Sequence, residues 1–121
     1  MSGIDHLGAV SKQYQECADA YRDVATAAAE AEAAHKVARA KTALRFKDSG
    51  ECRSMTEAET RAEADDEVAR LYRERLITAA VADAHREKLQ QLREQVASGR
   101  TYVASEREVD RMHAGGYGGA A

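Results

Sequence analysis

Residues 7–38, LGAVSKQYQECADAYRDVATAAAEAEAAHKVA, decide the fold. Read at alternating steps of three and four, they yield the stripe Leu7, Val10, Tyr14, Cys17, Tyr21, Val24, Ala28, Ala31, His35 and Ala38. Every member except His35 is apolar, and no proline interrupts the run. An apolar repeat of 3.5 residues lays one narrow seam along a helix, and that seam must be covered by a second helix.

Composition agrees. The 121 residues contain no proline and no tryptophan, 5% are aromatic and 32% are charged. Alanine with glutamate, arginine and lysine at helical period is the material of long helices and coiled coils. No stretch combines β-branched residues with strict alternation, so the expected class is all-α.

Asp5 is placed to cap a first helix over about residues 5–47. Asp48-Ser49-Gly50 supplies a break, with a glycine free to adopt φ > 0. A turn over 48–55 follows, and Thr56-Glu57-Ala58-Glu59 has the spacing of a capping box for a second helix. Glu57, Glu59, Glu63, Asp65, Asp66 and Glu67 crowd its start, whereas Lys41, Arg45 and Lys47 sit at the end of the first, each where the helix dipole favours its sign. The second helix runs to Ser98 or, through Gly99, to about Met112. Residues 114–121 read as a flexible glycine-rich tail.

Two helices joined by a short turn fold back as a long antiparallel hairpin over residues 1–113. A turn centred near residues 51–52 sets Leu7 opposite Val96, Val10 opposite Leu92, Tyr14 opposite Leu89, Tyr21 opposite Ala82 and His35 opposite Val68. One seam cannot hide every apolar residue. The segment 76–82 is apolar round most of its circumference, and Val37, Ala40 and Leu44 lie outside the stripe. Val37, Leu44, Leu76, Ile77 and Val81 are therefore the expected interface for self-association into a dimer or helical bundle.

The net charge of −3 argues against a surface devoted wholly to nucleic acid. A local basic run does exist: no acid lies between Ala33 and Lys47. Lys36, Arg39, Lys41, Arg45 and Arg53 are the candidates for contact with single-stranded DNA phosphates. The bland alternative is that the same run is neutralised by the acids of residues 57–67. The histidines (His6, His35, His85 and His113) lack zinc spacing and read as surface or seam residues. Cys17 is a seam residue. Cys52 lies in the turn, open to oxidants, and in a hairpin would stand roughly 50 Å from Cys17 at ~1.5 Å per residue, too far for a disulfide. Neither a metal nor a cofactor is expected. With no cleft to raise a carboxyl pKa, the expectation is a protein that is not an enzyme. Residues 1–12 lack the pattern of a signal peptide and no apolar run reaches membrane-spanning length, so a cytoplasmic protein without a membrane partner is expected.

The pattern from Tyr21 to Arg111 resembles small helical proteins of phages and prophages encoded beside single-strand-annealing recombination genes. The likeness rests on the alanine/lysine first helix, on Met55-Thr56-Glu57-Ala58-Glu59 opening the second, and on Leu89-Gln90-Gln91-Leu92-Arg93 followed by Gly99-Arg100. It implies an accessory protein acting near phage DNA recombination or replication in a bacterial cytoplasm, with itself, single-stranded DNA or a recombination protein as partner. The alternatives are an inhibitor or adaptor of a host protein and a virion-assembly scaffold.

Overall fold

The computed structural model describes residues 3–119, and the side chains of residues 3–114. Three helices account for nearly all of it: α1 (Gly3–Asp48), α2 (Met55–Ala62) and α3 (Asp66–Gly119). Among the described residues there is no strand. The protein is all-α, as its periodicity requires.

α1 ends where Asp48-Ser49-Gly50 demands. Gly50 takes φ +80°, a conformation that costs glycine least. Its N–H donates to Lys47 O at 3.2 Å, and Cys52 N–H reaches back to Phe46 O at 3.2 Å, so two terminal carbonyls of the helix are satisfied.

The expected second helix is in fact two. Ser54, with φ −121° and ψ 160°, caps α2 and accepts the Glu57 N–H at 3.1 Å. The Glu57 carboxylate accepts in turn from Arg53 N–H at 3.4 Å. The capping box is therefore centred on Ser54 and Glu57, two residues before the Thr56–Glu59 pair read from the sequence. Residues 63–65 interrupt the helix, and Asp65 restarts it by accepting the Val68 N–H on Oδ2 at 3.2 Å. The acids taken as one N-terminal cluster thus serve two helix starts: Glu57 opens α2, and Asp66 and Glu67 form the first turn of α3.

α3 passes through Gly99 without a break and continues to Gly119. Residues 114–119, expected as a glycine-rich tail, are helical; residues 120–121 of that tail lie outside the described residues.

The chain forms two compact units: Met1–Ala20 with Arg86–Ala121, and Tyr21–His85. In the first, Val10, Cys17 and Leu92 form the core, with Tyr14, Leu89 and Val96 packed against it. Leu7 meets Gly99, and the Tyr102 ring occupies the space beside Gly3. In the second, Ala43, Cys52, Ala58 and Ala62 are packed under Phe46, and Val68 is the largest fully buried side chain. All ten residues of the α1 stripe are buried or half-buried.

Contacts agree with the sequence-based alignment in part: Val10 shares a core with Leu92, and Tyr14 and Leu89 pack against it. Leu7 also lies against Gly99, and His35, which lines a groove with Val68, meets Tyr72 and Arg75 further along α3.

Candidate interaction surface

The basic run lies in the unit Tyr21–His85, and most of it is already engaged. Lys36 Nζ bonds Glu32 at 2.9 Å on its own helix. Arg39 Nη2 donates to Glu63 Oε1 at 3.0 Å, and Arg45 approaches Asp65 at 3.7 Å while its guanidinium lies 5.6 Å from the centre of the Phe46 ring. Arg61, from α2, covers the same ring at 5.0 Å and pairs with Glu51 at 3.4 Å. The acids that neutralise Arg39 and Arg45 come from the 57–67 cluster. Lys41 and Arg53 are exposed and carry no side-chain ion pair among the described residues. The five candidate phosphate contacts are thus not one free patch but three paired residues and two separate ones.

Between α1 and the start of α3 lies a polar layer that the periodicity does not disclose. His35 is 7% exposed. Arg75 Nη1 lies 3.2 Å from His35 Nδ1, and Arg75 Nη2 donates to Glu32 Oε1 at 3.2 Å. Because a guanidinium only donates, Nδ1 must accept, which places the imidazole proton on Nε2. The His35 and Tyr72 rings lie 5.2 Å apart with a 50° tilt. Burial lowers the His35 pKa below its usual 6.5, and the positive charges of Arg75 and Arg39 lower it further against the smaller opposing effect of Glu63. Glu32 is also held below the usual carboxylate range, chiefly by its hydrogen bond to Lys36. Beside the layer an open groove of about 330 Å³ is lined by His35, Arg39, Glu63, Val68, Ala69 and Tyr72. Its Arg39 Nε is buried without a hydrogen-bond partner.

The same phasing determines what is left outside. Val68, Leu71, Arg75, Thr78, Ala82 and His85 are the inward positions of α3 in this unit, at alternating steps of three and four. Leu76, Ile77 and Val81, all larger and more apolar than Thr78 or Ala82, point away, with Ile77 59% exposed. A helix cannot rotate locally to exchange them, because Val68 and Leu71 set its phase. On α1, Val37 and Leu44 share a face turned away from His35 and are about half exposed. All five proposed interface residues are therefore exposed, and Tyr72 belongs with them.

In the unit made of residues 1–20 and 86–121, a second groove of about 430 Å³ is lined by Ser11, Tyr14, Gln15, Arg93, Val96, Ala97 and Arg100. Sequence reading passed over it, although its signal is a plain one: arginine recurs every seven residues at positions 86, 93, 100 and 107.

Of the histidines, His35 and His85 take seam positions, and His6 and His113 are exposed. Cys52 is 2% exposed, so the thiol expected to be open in the turn is enclosed by the α2 packing. Among the described residues no group of three or more histidine, cysteine or acidic side chains is disposed to hold a metal ion, and no helix is long and apolar enough to cross a membrane. No family model matches the chain, and no curated protein or solved structure matches it either.

Proposed function

We propose that this chain is a non-catalytic helical binding protein: an antiparallel hairpin that works as a homo-oligomer, in an accessory role near phage DNA recombination or replication. The hairpin reading is supported in each unit separately. Gly3 lies beside Tyr102 and Leu7 beside Gly99, while Glu32 and His35 meet Arg75 and Arg39 meets Glu63. The recombination context comes from the pattern-level resemblance alone.

The observation that carries self-association is the inversion on α3, where Arg75 and Thr78 face inward while Leu76, Ile77 and Val81 face out. Apolar side chains of this size, grouped with Tyr72, favour a covered state because covering them removes apolar area from water. Open grooves and charge pairs that neutralise one another suit binding better than catalysis, which needs a dry, shaped site.

Light scattering coupled to size exclusion tests the reading on the full chain. A discrete oligomer that dissociates in Ile77→Asp and in Val37→Asp is the expected result. A wild-type monomer that captures a bacterial host protein through Ile77 would replace it with the adaptor reading, and an open-ended assembly with the scaffold reading. Direct DNA contact has a separate measurement, the anisotropy of a labelled single strand. Binding through Lys41 and Arg53 would weaken steeply with salt.

A further inference from the structure

Two hydrogen-bond donors in the unit Tyr21–His85 are left without a use. Arg39 gives Nη2 to Glu63 Oε1 at 3.0 Å, but its Nε is buried without a hydrogen-bond partner. His35 takes Arg75 Nη1 on Nδ1 at 3.2 Å, which leaves its own proton on Nε2. That N–H has no partner among the described residues. Both residues line the groove of about 330 Å³ that Val68, Ala69 and Tyr72 share. Native proteins leave few buried N–H groups unpaired, because each one costs free energy. Two unused donors in one groove point to an acceptor from outside the chain.

Charge and shape say which acceptor fits. Lys36, Arg39 and Arg75 share two carboxylates, Glu32 and Glu63, so the bonded layer behind the groove keeps an excess positive charge. The occupant is therefore an anion. A carboxylate suits the two donors, because its oxygens accept two N–H groups at once and bind them more strongly than a neutral acceptor does. Glu63 also lines the groove and opposes an anion of higher charge. The remaining lining is apolar. Val68 is a fully buried floor, Ala69 stands beside it, and the half-exposed Tyr72 ring lies 5.2 Å from that of His35. A flat or branched hydrocarbon body would cover the ring and Ala69. The volume is at the small end for ligand sites, which excludes a large molecule.

We propose that the groove between α1 and the start of α3 binds a small monocarboxylate with an aromatic or branched apolar body. Arg39 Nε–H and His35 Nε2–H hold its carboxylate, and its body lies against Tyr72. The site belongs to a single chain and does not rest on self-association. Ile77 stands about 140° round α3 from Tyr72, at about 100° per residue, so an interface on Ile77 leaves the groove open.

Benzoate is the probe. Titrated into the full chain labelled with nitrogen-15, it should shift the NMR signals of Arg39 Nε–H and the His35 ring saturably in the millimolar range. Benzamide has the same shape without the charge and should bind about tenfold more weakly or worse, since hydrogen bonds to charged groups are the stronger ones. Inorganic phosphate should also bind more weakly than benzoate. Arg39→Lys keeps the positive charge but loses the Nε–H, and should weaken benzoate by about tenfold. Tyr72→Ala should weaken it by removing the ring. Circular dichroism verifies that each variant remains helical, and Arg53→Lys and Ile77→Asp should bind as wild type does. Shifts that are absent or never saturate overturn the proposal, as does equal affinity for benzamide, for phosphate or in Arg39→Lys. So does an Arg39 Nε–H already bonded in wild type and released in Ile77→Asp, which would give the groove to an acidic side chain of a second copy. A monomeric wild type that binds benzoate through Arg39 supports this inference while the self-association reading falls.

Discussion

Leu7 occupies the space left by the missing side chain of Gly99. A Cβ placed there would lie 3.0 Å from Leu7 Cδ1, with the next atoms of Leu7 at 3.8 and 3.9 Å. Only the end of a half-exposed, flexible side chain is in the way. Glycine within a helix costs about 1 kcal/mol relative to alanine, and a small rotation of Leu7 admits one methyl group. Gly99→Ala is expected to raise the thermal midpoint by a few degrees. Gly99→Leu, too large for that rotation, should lower it. Melting curves followed by circular dichroism measure both, and a destabilised alanine variant would mean that Leu7 cannot yield.

His35 couples stability to pH. Its neutral form is favoured in the folded chain by burial and by Arg75 and Arg39, against Glu63. Glu32 is bound to Arg75, and Tyr72 lies against the ring without a charge. As pH falls below about 6.5 the unfolded chain takes up a proton that folded His35 resists, so stability declines until the lowered folded pKa is passed. Above that window the contribution is complete. Urea midpoints measured from pH 7.5 to 5.5 should fall for wild type and stay flatter for His35→Gln, with the pH limits chosen roughly to bracket an ordinary histidine.

Two caps hold the reversal. Ser54→Ala removes the acceptor for Glu57 N–H, and Asp65→Ala removes that for Val68 N–H. Each is expected to cost about 1 kcal/mol, the usual loss of an N-cap. Asp65→Asn keeps an acceptor and should retain most of that stability, which separates the cap from the 3.7 Å approach of Arg45. Thr56→Ala, at the cap position inferred from sequence, should change chemical denaturation little.

The packing under Phe46 is closed to solvent. Ala43, Ala58 and Ala62 are each 0% exposed, so Ala58→Leu should destabilise the chain by about 1–3 kcal/mol through overpacking. Ala29→Leu, on an exposed face of α1, is the control and should leave the thermal midpoint nearly unchanged.

Both thiols are enclosed, Cys17 within the Val10–Leu92 core and Cys52 under α2. A thiol reagent added to the native protein should therefore react slowly and in step with local opening, with two equivalents reacting promptly in denaturant. Fast native labelling of one equivalent would show that the reversal around Cys52 opens readily.

The periodic stripe from Leu7 to Ala38 was sufficient for the long first helix, because a 3.5-residue apolar repeat has no other satisfactory folded form and every residue that specifies it is local. Asp48-Ser49-Gly50 was likewise enough to end that helix, since positive φ and helix termination depend on few neighbours. The exposure of Val37, Leu44, Leu76, Ile77 and Val81 could also be read from excess apolar content alone. The reversal could not. Ser54 rather than Thr56 became the cap, and Asp65 broke what reads as one helix, in an arrangement that buries Ala58 and Ala62 of α2 with Cys52 against Ala43. Tertiary packing then set the phase of α3, brought Arg75 to His35, and paired Arg39 and Arg45 with Glu63 and Asp65. Which charges meet and which apolar side chains stay outside depends on rotation and register between helices, and those are fixed by contacts distant in sequence.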